Sequence, residues 1–289
     1  MKTTLSPKEL GEAIGVSESS LKRWADSGQL RVARTAGGHR RIELAEAIRF
    51  IRTAGFPIRT PALLGLPETA VAHDGAASAD AFHQALQAGD VTVAESMLLG
   101  EYLRGGGIAA MLDNTMAPAM RAIGHLWQQR DDYGIFVEHR ATDICMRILQ
   151  RIRGLIPNEP AAPVAVGCAP LDDQHALPSL MAATVLADEG WSTVNLAALT
   201  PPAALACAAA DSHASLVWLA LSAGGGDAPE TALRAVRAAL DANNCRVPVI
   251  VGGAAAHALD PGGIDAVQVA TSMTDLATLA REHRHGTTD

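Results

Sequence analysis

The apolar positions of this chain change their spacing three times, and each change predicts a different kind of element. Over residues 6–54 the spacing is helical but broken. Ser6-Pro7 opens a helix, a hydroxyl cap followed by proline at the first helical position, and Gly15 stops it after Ile14. Ser17 caps a second helix that runs to about Ser27, where Gly28 ends it. Two short helices joined by a glycine-containing turn fit a helix-turn-helix. Residues 30–42 are strand-like and interrupted by Gly37-Gly38, which predicts a hairpin, or wing. Leu44, Ala47, Ile48 and Ile51 then fall three or four apart and predict a helix over 43–54.

Residues 57–80 lose this period. Pro57, Pro61, Pro67 and a Gly/Ala/Ser stretch predict a mobile linker. Helical spacing returns over 81–156, with helices predicted at 81–88, 91–103, 108–129 and 134–155, a four-helix bundle. Pro118 lies inside the third and predicts a kink or break. A second linker covers 157–163. Short apolar strands then alternate with helices, with strands at 164–169, 192–196, 216–221, 247–251 and 265–269. That alternation predicts a doubly wound parallel sheet. The fold expected is therefore multidomain, α and α/β. It has a winged helix-turn-helix head (1–56), a linker (57–80), a helical bundle (81–156) and a Rossmann-like sheet domain (164–289).

Composition sharpens this division. The 289 residues suit two or three domains, and 48% apolar with only 3% aromatic residues favours helices and α/β units over β-sandwiches. The net charge is −8, yet residues 1–55 carry ten Lys/Arg against six acids, so the remainder is near −12. A basic head on an acidic body suits nucleic acid, although a solvated basic surface would carry the same charge. Cys145, Cys168, Cys207 and Cys245 form no C-x-x-C pair and read as small buried hydrophobes in a reducing compartment. No signal-peptide pattern opens the chain, and no run approaches the roughly 20 apolar residues of a bilayer span. A soluble, cytoplasmic protein is expected.

The second helix offers hydroxyls and cations at its start, Ser19, Ser20, Lys22 and Arg23, where a recognition helix meets bases and phosphates. His39, Arg40 and Arg41 follow the glycine pair of the wing, where cations neutralise phosphate. Leu21 and Trp24 read as core anchors. Leu21-Lys22-Arg23-Trp24-Ala25-Asp26-Ser27-Gly28 followed by Arg34-Thr35-Ala36-Gly37-Gly38-His39-Arg40-Arg41 resembles the N-terminal domain of MerR-type regulators, over about residues 4–55. The resemblance implies binding to double-stranded operator DNA; a protein-docking head is the alternative.

His175 falls in the loop after the first strand of the α/β domain, at the end of the sheet where ligands bind. A metal-bound imidazole needs an acceptor for its other nitrogen, and Asp173 can supply it. A solvated loop histidine is the plainer alternative. Asp173-Gln174-His175-Ala176-Leu177-Pro178 resembles the D-x-H-x-x-G motif of cobalamin-binding domains, with Pro178 in place of glycine. That resemblance implies His175 as the lower axial ligand of cobalt, with the cofactor's nucleotide tail inserted beside the sheet. Ser222 stands near the family's S-x-L, with Gly224 where leucine is usual, and Gly252-Gly253 stands at its G-G.

Trp127 and Glu138-His139 resemble the W-x9-E-H signature of CarH-type photoreceptors, and the order of segments is similar to that family throughout. The resemblance implies adenosylcobalamin as cofactor, with Trp127 packed over the adenosyl group and Glu138 on its ribose. It also implies a homo-oligomer, a tetramer in the dark, that represses transcription and releases DNA in light. Trp127 as a plain bundle-core residue is the alternative. Here ten residues separate Trp127 from Glu138, and Gln128 stands where the family has the histidine that becomes the upper ligand after illumination. His139 is the better substitute, because His125 lies about 200° around the helix from Trp127. A light-independent sensor of cobalamin or of another tetrapyrrole is the competing regulator. A corrinoid methyl carrier or mutase is the competing enzyme, but no room remains for a barrel-sized catalytic domain, so a non-enzyme is expected.

Overall fold

The computed structural model describes residues 3–72, 77–127, 132–222, 228–259 and 264–286. It divides into two units, Met1–Gly107 with Asn114–Pro157, and Ile108–Asp113 with Asn158–Asp289.

In the first unit, β1 (Thr4–Leu5) leads into α1 (Pro7–Ile14) through a reciprocal cap. The Glu9 N–H donates to Ser6 Oγ at 3.2 Å and the Glu9 carboxylate accepts the Ser6 N–H at 2.7 Å. Ser17 caps α2 (Glu18–Asp26) by accepting from the Ser20 N–H. β2 (Ala33–Arg34) and β3 (Arg40–Glu43) form the expected hairpin, and β1 adds a third strand on the other side of β3 that periodicity was too short to show. α3 (Leu44–Ala54) buries Leu44, Ala47, Ile48 and Ile51, the four positions whose spacing predicted it. Trp24 packs on Phe50 and Phe56 with ring centroids 5.3 and 5.4 Å away, and Leu21 is 1% exposed, so both anchor the core as expected.

Residues 57–72 correct the expected mobile linker. Pro61–Leu64 and Glu68–Val71 are single 3-10 turns, and Leu64, Leu66 and Ala70 are buried. The Arg59 and Thr60 N–H groups both donate to the Ala13 carbonyl. The prolines here set packed turns, the first of them against α1, rather than releasing the chain. Residues 73–76, the centre of the Gly/Ala/Ser stretch, lie outside the described residues.

Four further helices complete this unit or border it: α4 (Ala79–Ala88), α5 (Val91–Leu103), α7 (Ala117–Trp127) and α8 (Asp132–Arg153). Arg52 of α3 donates to the carbonyls of Tyr102 and Gly106 and stacks 3.8 Å over the Tyr102 ring, which ties the N-terminal elements to α5. The helix predicted over 108–129 is broken into α6 (Ile108–Met111), a π-helical turn over Leu112–Met116, and α7. Pro118 explains the break: it has no N–H for the carbonyl four residues earlier, at Asn114. The division between the two units falls inside that turn.

In the second unit, β4 (Val164–Cys168), α9 (Ala176–Asp188), β5 (Ser192–Asn195), α10 (Pro202–Asp211), β6 (Leu216–Ala220), α11 (Pro229–Ala242), β7 (Val249–Gly252), β8 (Val267–Val269) and α12 (Met273–Gly286) alternate as predicted. The five strands are parallel in the order β5-β4-β6-β7-β8. Val166, Cys168, Val217, Leu219, Val249 and Val251 turn one face toward Leu205, Leu233, Val236 and Leu240 of α10 and α11. α9 and α12 pack together on the other. α6 belongs to this unit, where Asp113 caps α12 by accepting the N–H groups of Met273 and Thr274 at 2.8 and 2.9 Å.

Candidate functional site

The strand order fixes where a ligand can enter. The chain leaves β4 for β5 on one side and returns to β6 on the other, so the loops after β4 and β6 diverge and open a crevice at their carboxyl ends. The β4 loop carries Asp173 and His175, and Ser222 follows β6.

Asp173 is 3% exposed and fully engaged. Its Oδ1 accepts the His175 N–H at 2.9 Å and faces His175 Nδ1 at 2.8 Å; its Oδ2 accepts the Ser222 N–H at 2.7 Å. One carboxylate thus pins the histidine and joins the two sides of the crevice. Burial alone would raise the Asp173 pKa, but the hydrogen bonds from His175 and Ser222 outweigh it and hold the carboxyl below its usual value. With Nδ1 held by a carboxylate, Nε2 is the ring nitrogen a metal would take, and the side chain is 46% exposed. His175 is the N-cap of α9, and Pro178 falls in the first turn, where a missing N–H costs no helical bond. The substitution of proline for glycine therefore leaves the His175 geometry intact.

Gly253, at φ +102°, has no room for a side chain: a Cβ there would lie 2.4 Å from the Leu221 carbonyl oxygen. Gly252 ends β7 beside it. Ser222 contributes its backbone N–H, while its Oγ is buried with no hydrogen-bond partner among the described residues. Gly224 lies outside them. The exposed apolar side chains of Leu171 and Leu199 border the same end of the sheet, at 48% and 54% exposure. Sequence spacing did not single them out, nor Asn195, Ser179 and Trp218 beneath the loop.

In the first unit, Glu138 lies on α8, its Oε1 accepting from Thr142 Oγ1 at 3.1 Å. His139 Nε2 is 3.6 Å from Glu138 Oε2, and its side chain is 76% exposed. Trp127 ends α7, its side chain outside the described residues along with Gln128. Tyr133 and Phe136, exposed at the start of α8, are an aromatic pair that spacing missed.

The N-terminal candidates fall into two groups. Ser19 and Ser20 lie in the first turn of α2, where their hydroxyls meet Ser17 Oγ at 2.9 and 3.0 Å. Lys22 pairs with Glu18 one turn away at 2.8 Å, while Arg23, His39 and Arg41 are exposed. Arg40, expected to neutralise phosphate, has partners within the protein. It donates to Asp26 Oδ1 at 2.5 Å and to the Lys22 carbonyl, with its side chain 18% exposed, and so fastens β3 to α2.

Among the described residues no helix is long and apolar enough to cross a membrane, and no three His, Cys, Asp or Glu side chains gather as a metal site. Cys145, Cys168 and Cys245 are buried as expected, but Cys207 is exposed on α10.

Residues 78–153 match the family described as the B12 binding domain. No curated protein matches the sequence. The monomethylamine corrinoid protein of Methanosarcina barkeri shares the fold with a TM-score of 0.52, over 70% of this chain and 95% of that one, at 18% identity. A cobalamin-binding protein from Desulfitobacterium hafniense DCB-2 matches with a TM-score of 0.36 at 16% identity, over 71% of this chain and 98% of that one. The methanol:cobalamin methyltransferase complex MtaBC from Methanosarcina barkeri matches at 0.39 and 14%, over 93% of each chain. The family match over the helical segment, with the corrinoid-protein fold, supports a cobalamin-binding domain in this chain.

Proposed function

We propose that this protein is a cobalamin-dependent transcriptional regulator, in which His175 holds cobalt and the first 55 residues hold DNA. The observation that carries the cofactor half is the Asp173–His175 pair at the switch point of the sheet, with Nδ1 oriented by a carboxylate 2.8 Å away. A lone oriented imidazole is the donor set suited to a metal already ringed by a macrocycle, which asks one axial ligand of the protein. The cramped backbone at Gly253 fits an elongated ligand entering beside the sheet.

The DNA half rests on α1 and α2 joined by a tight turn, with Arg23 and Arg41 exposed on α2 and β3. In this reading Trp127, Glu138 and His139 keep the cofactor-contacting roles that the resemblance to light-responsive regulators implies. Bound adenosylcobalamin would supply a light-sensitive cobalt–carbon bond. A ligand favouring one assembly state by its differential affinity would couple light to DNA release, because several weak heads held together bind far better than one.

A second reading, a corrinoid methyl carrier, is favoured by the likeness to the monomethylamine corrinoid protein. That likeness covers 70% of the chain, and a methyl carrier has no evident use for a basic segment with ten Lys/Arg against six acids over residues 1–55.

The decisive experiment mixes the protein with adenosylcobalamin in the dark and follows absorption, size exclusion and operator-DNA retardation before and after green light. Dark binding with a light-driven fall in size and DNA retention is the expected result. Binding and DNA retention without a light response would leave a cobalamin sensor. Binding without DNA retention, together with turnover of a methyl donor, would establish the carrier.

A further inference from the structure

Beneath the His175 loop a row of three residues crosses the sheet in register: Asn195 on β5, Gly167 on β4 and Trp218 on β6. A Cβ at Gly167 would lie 2.1 Å from Trp218 Cδ2, so the indole lies flat across β4 in the space that a side chain there would fill. Its Nε1 reaches Ser179 Oγ at 3.1 Å, Ser179 Oγ reaches Asn195 Oδ1 at 2.8 Å, and the Ala197 N–H reaches the same Oδ1 at 3.0 Å. Trp218 and Ser179 are 1% and 0% exposed.

The direction of this chain is fixed. An indole nitrogen only donates, so Ser179 accepts from Trp218 and must pass its own proton to Asn195. Asn195 therefore turns its carbonyl oxygen toward both donors. Ser179 also stands one helical turn beyond His175 on α9.

The far end of the chain is strained backbone. Ala197 and Leu199 have φ of +62° and +54°, a region that non-glycine residues avoid. The loop is nonetheless tied down. Ala169 N–H donates to the Ala197 carbonyl at 2.7 Å, and Leu199 N–H donates to the carbonyl of Asp173 at 3.0 Å. Strain that persists beside a binding site is held there by its surroundings. A core needing only volume would place apolar side chains between α9 and the sheet, avoiding the cost of burying the Trp218 N–H and the Ser179 hydroxyl.

We propose that Trp218, Ser179 and Asn195 are positioning residues for His175: their hydrogen-bond chain sets the 195–199 loop, whose Leu199 N–H clamps the Asp173 backbone and so aims the imidazole at cobalt. The inference rests on the cobalamin reading. Asn195 is the lever, because its oxygen shapes the left-handed turn directly. Asp at this position keeps that oxygen.

The test uses the full-length protein grown with ¹⁵N-histidine and loaded with cob(II)alamin. In the electron paramagnetic resonance spectrum a histidine ligand splits each cobalt line into a doublet, and the cofactor's own base splits it into a triplet. Wild type should give doublets. Asn195→Ala and Ser179→Ala should lose them in part and weaken binding about tenfold, the low end for an outer partner of a metal ligand. Asn195→Asp should restore both. Circular dichroism of the cofactor-free proteins checks folding. If Asn195→Ala does not fold, Trp218→Phe, which keeps a ring and loses the N–H, carries the comparison and should shift the spectrum in the same direction. Full doublets and unchanged affinity in the folded alanine variants would overturn the inference and leave the cobalamin reading standing. Failure of wild type to bind cob(II)alamin, or triplets from wild type, would instead remove the His175 reading on which it rests.

Discussion

Gly167 and Trp218 sit side by side in register on β4 and β6, and the indole occupies the volume above the glycine so fully that a methyl group there would lie 2.1 Å from the ring. The neighbour is a large aromatic held on its far side by Ser179, with no room to swing away. Gly167→Ala should therefore destabilise the second unit by about 1–3 kcal/mol, the usual cost of overpacking a filled core. Denaturant unfolding followed by tryptophan fluorescence measures it. A variant as stable as wild type would mean that the Trp218 ring can shift freely.

Asp173 is held charged by His175 and Ser222, and the sign of its pH effect follows. Its folded pKa is depressed, so it contributes stability at every pH above the unfolded carboxyl value, about 3.9. That contribution is lost as pH falls through the lower, folded value. Asp173→Asn should be less stable than wild type at neutral pH, and the gap should close below about pH 4. The same substitution removes the anionic partner of Nδ1 and should weaken cobalamin binding roughly 10–100-fold. Unfolding curves between pH 3 and 7 and a cobalamin titration check the two halves separately. A gap that persists unchanged to pH 3 would show that the carboxylate is not stabilised by its partners.

Most of the fold was legible because its signals are local. Ser6, Ser17 and Gly15 mark helix ends by backbone chemistry, and β4, β6 and β7 are short apolar runs. Asp173 and His175 were legible for the same reason: two residues apart, they make their contact within one loop. What stayed hidden depends on tertiary contact. Residues 61–71 look like linker because their prolines are read without α1 and α5, against which the two turns pack. The Trp218–Ser179–Asn195 chain joins residues 39 and 16 positions apart, and its members look like ordinary strand and helix residues in isolation. The Arg40–Asp26 pair stayed hidden because the two lie fourteen residues apart and meet only when the hairpin folds back.

The cysteines should separate by reactivity. Burial pushes the Cys168 thiol up to about 12 and raises those of Cys145 and Cys245, so each is a neutral thiol near pH 7. Cys207 alone is exposed. Iodoacetamide on the native protein should modify Cys207 and leave the other three until denaturant is added. Mass mapping of the labelled peptides reads this directly. Fast labelling of Cys168 in the native state would contradict its burial under the β4 loop.

The two roles assigned to the N-terminal arginines make opposite predictions. Arg23 and Arg41 face solvent, so Arg23→Ala and Arg41→Ala should leave unfolding unchanged and, on the proposed regulator reading, weaken DNA binding. Each should also flatten the slope of log affinity against log salt by about one, because each lost phosphate contact releases one fewer counterion. Arg40 instead bridges β3 to α2 through Asp26 and the Lys22 carbonyl. Arg40→Ala should lower the stability of the first unit, and the loss should be shared by Asp26→Ala, since both break the same bridge. A double-mutant cycle on that pair should give a coupling of about 1 kcal/mol, the upper end for a surface ion pair, since only Asp26 is well exposed. If Arg40→Ala flattened the salt slope at unchanged stability, the Asp26 bridge would have to open when DNA binds, and Arg40 would join the phosphate contacts after all.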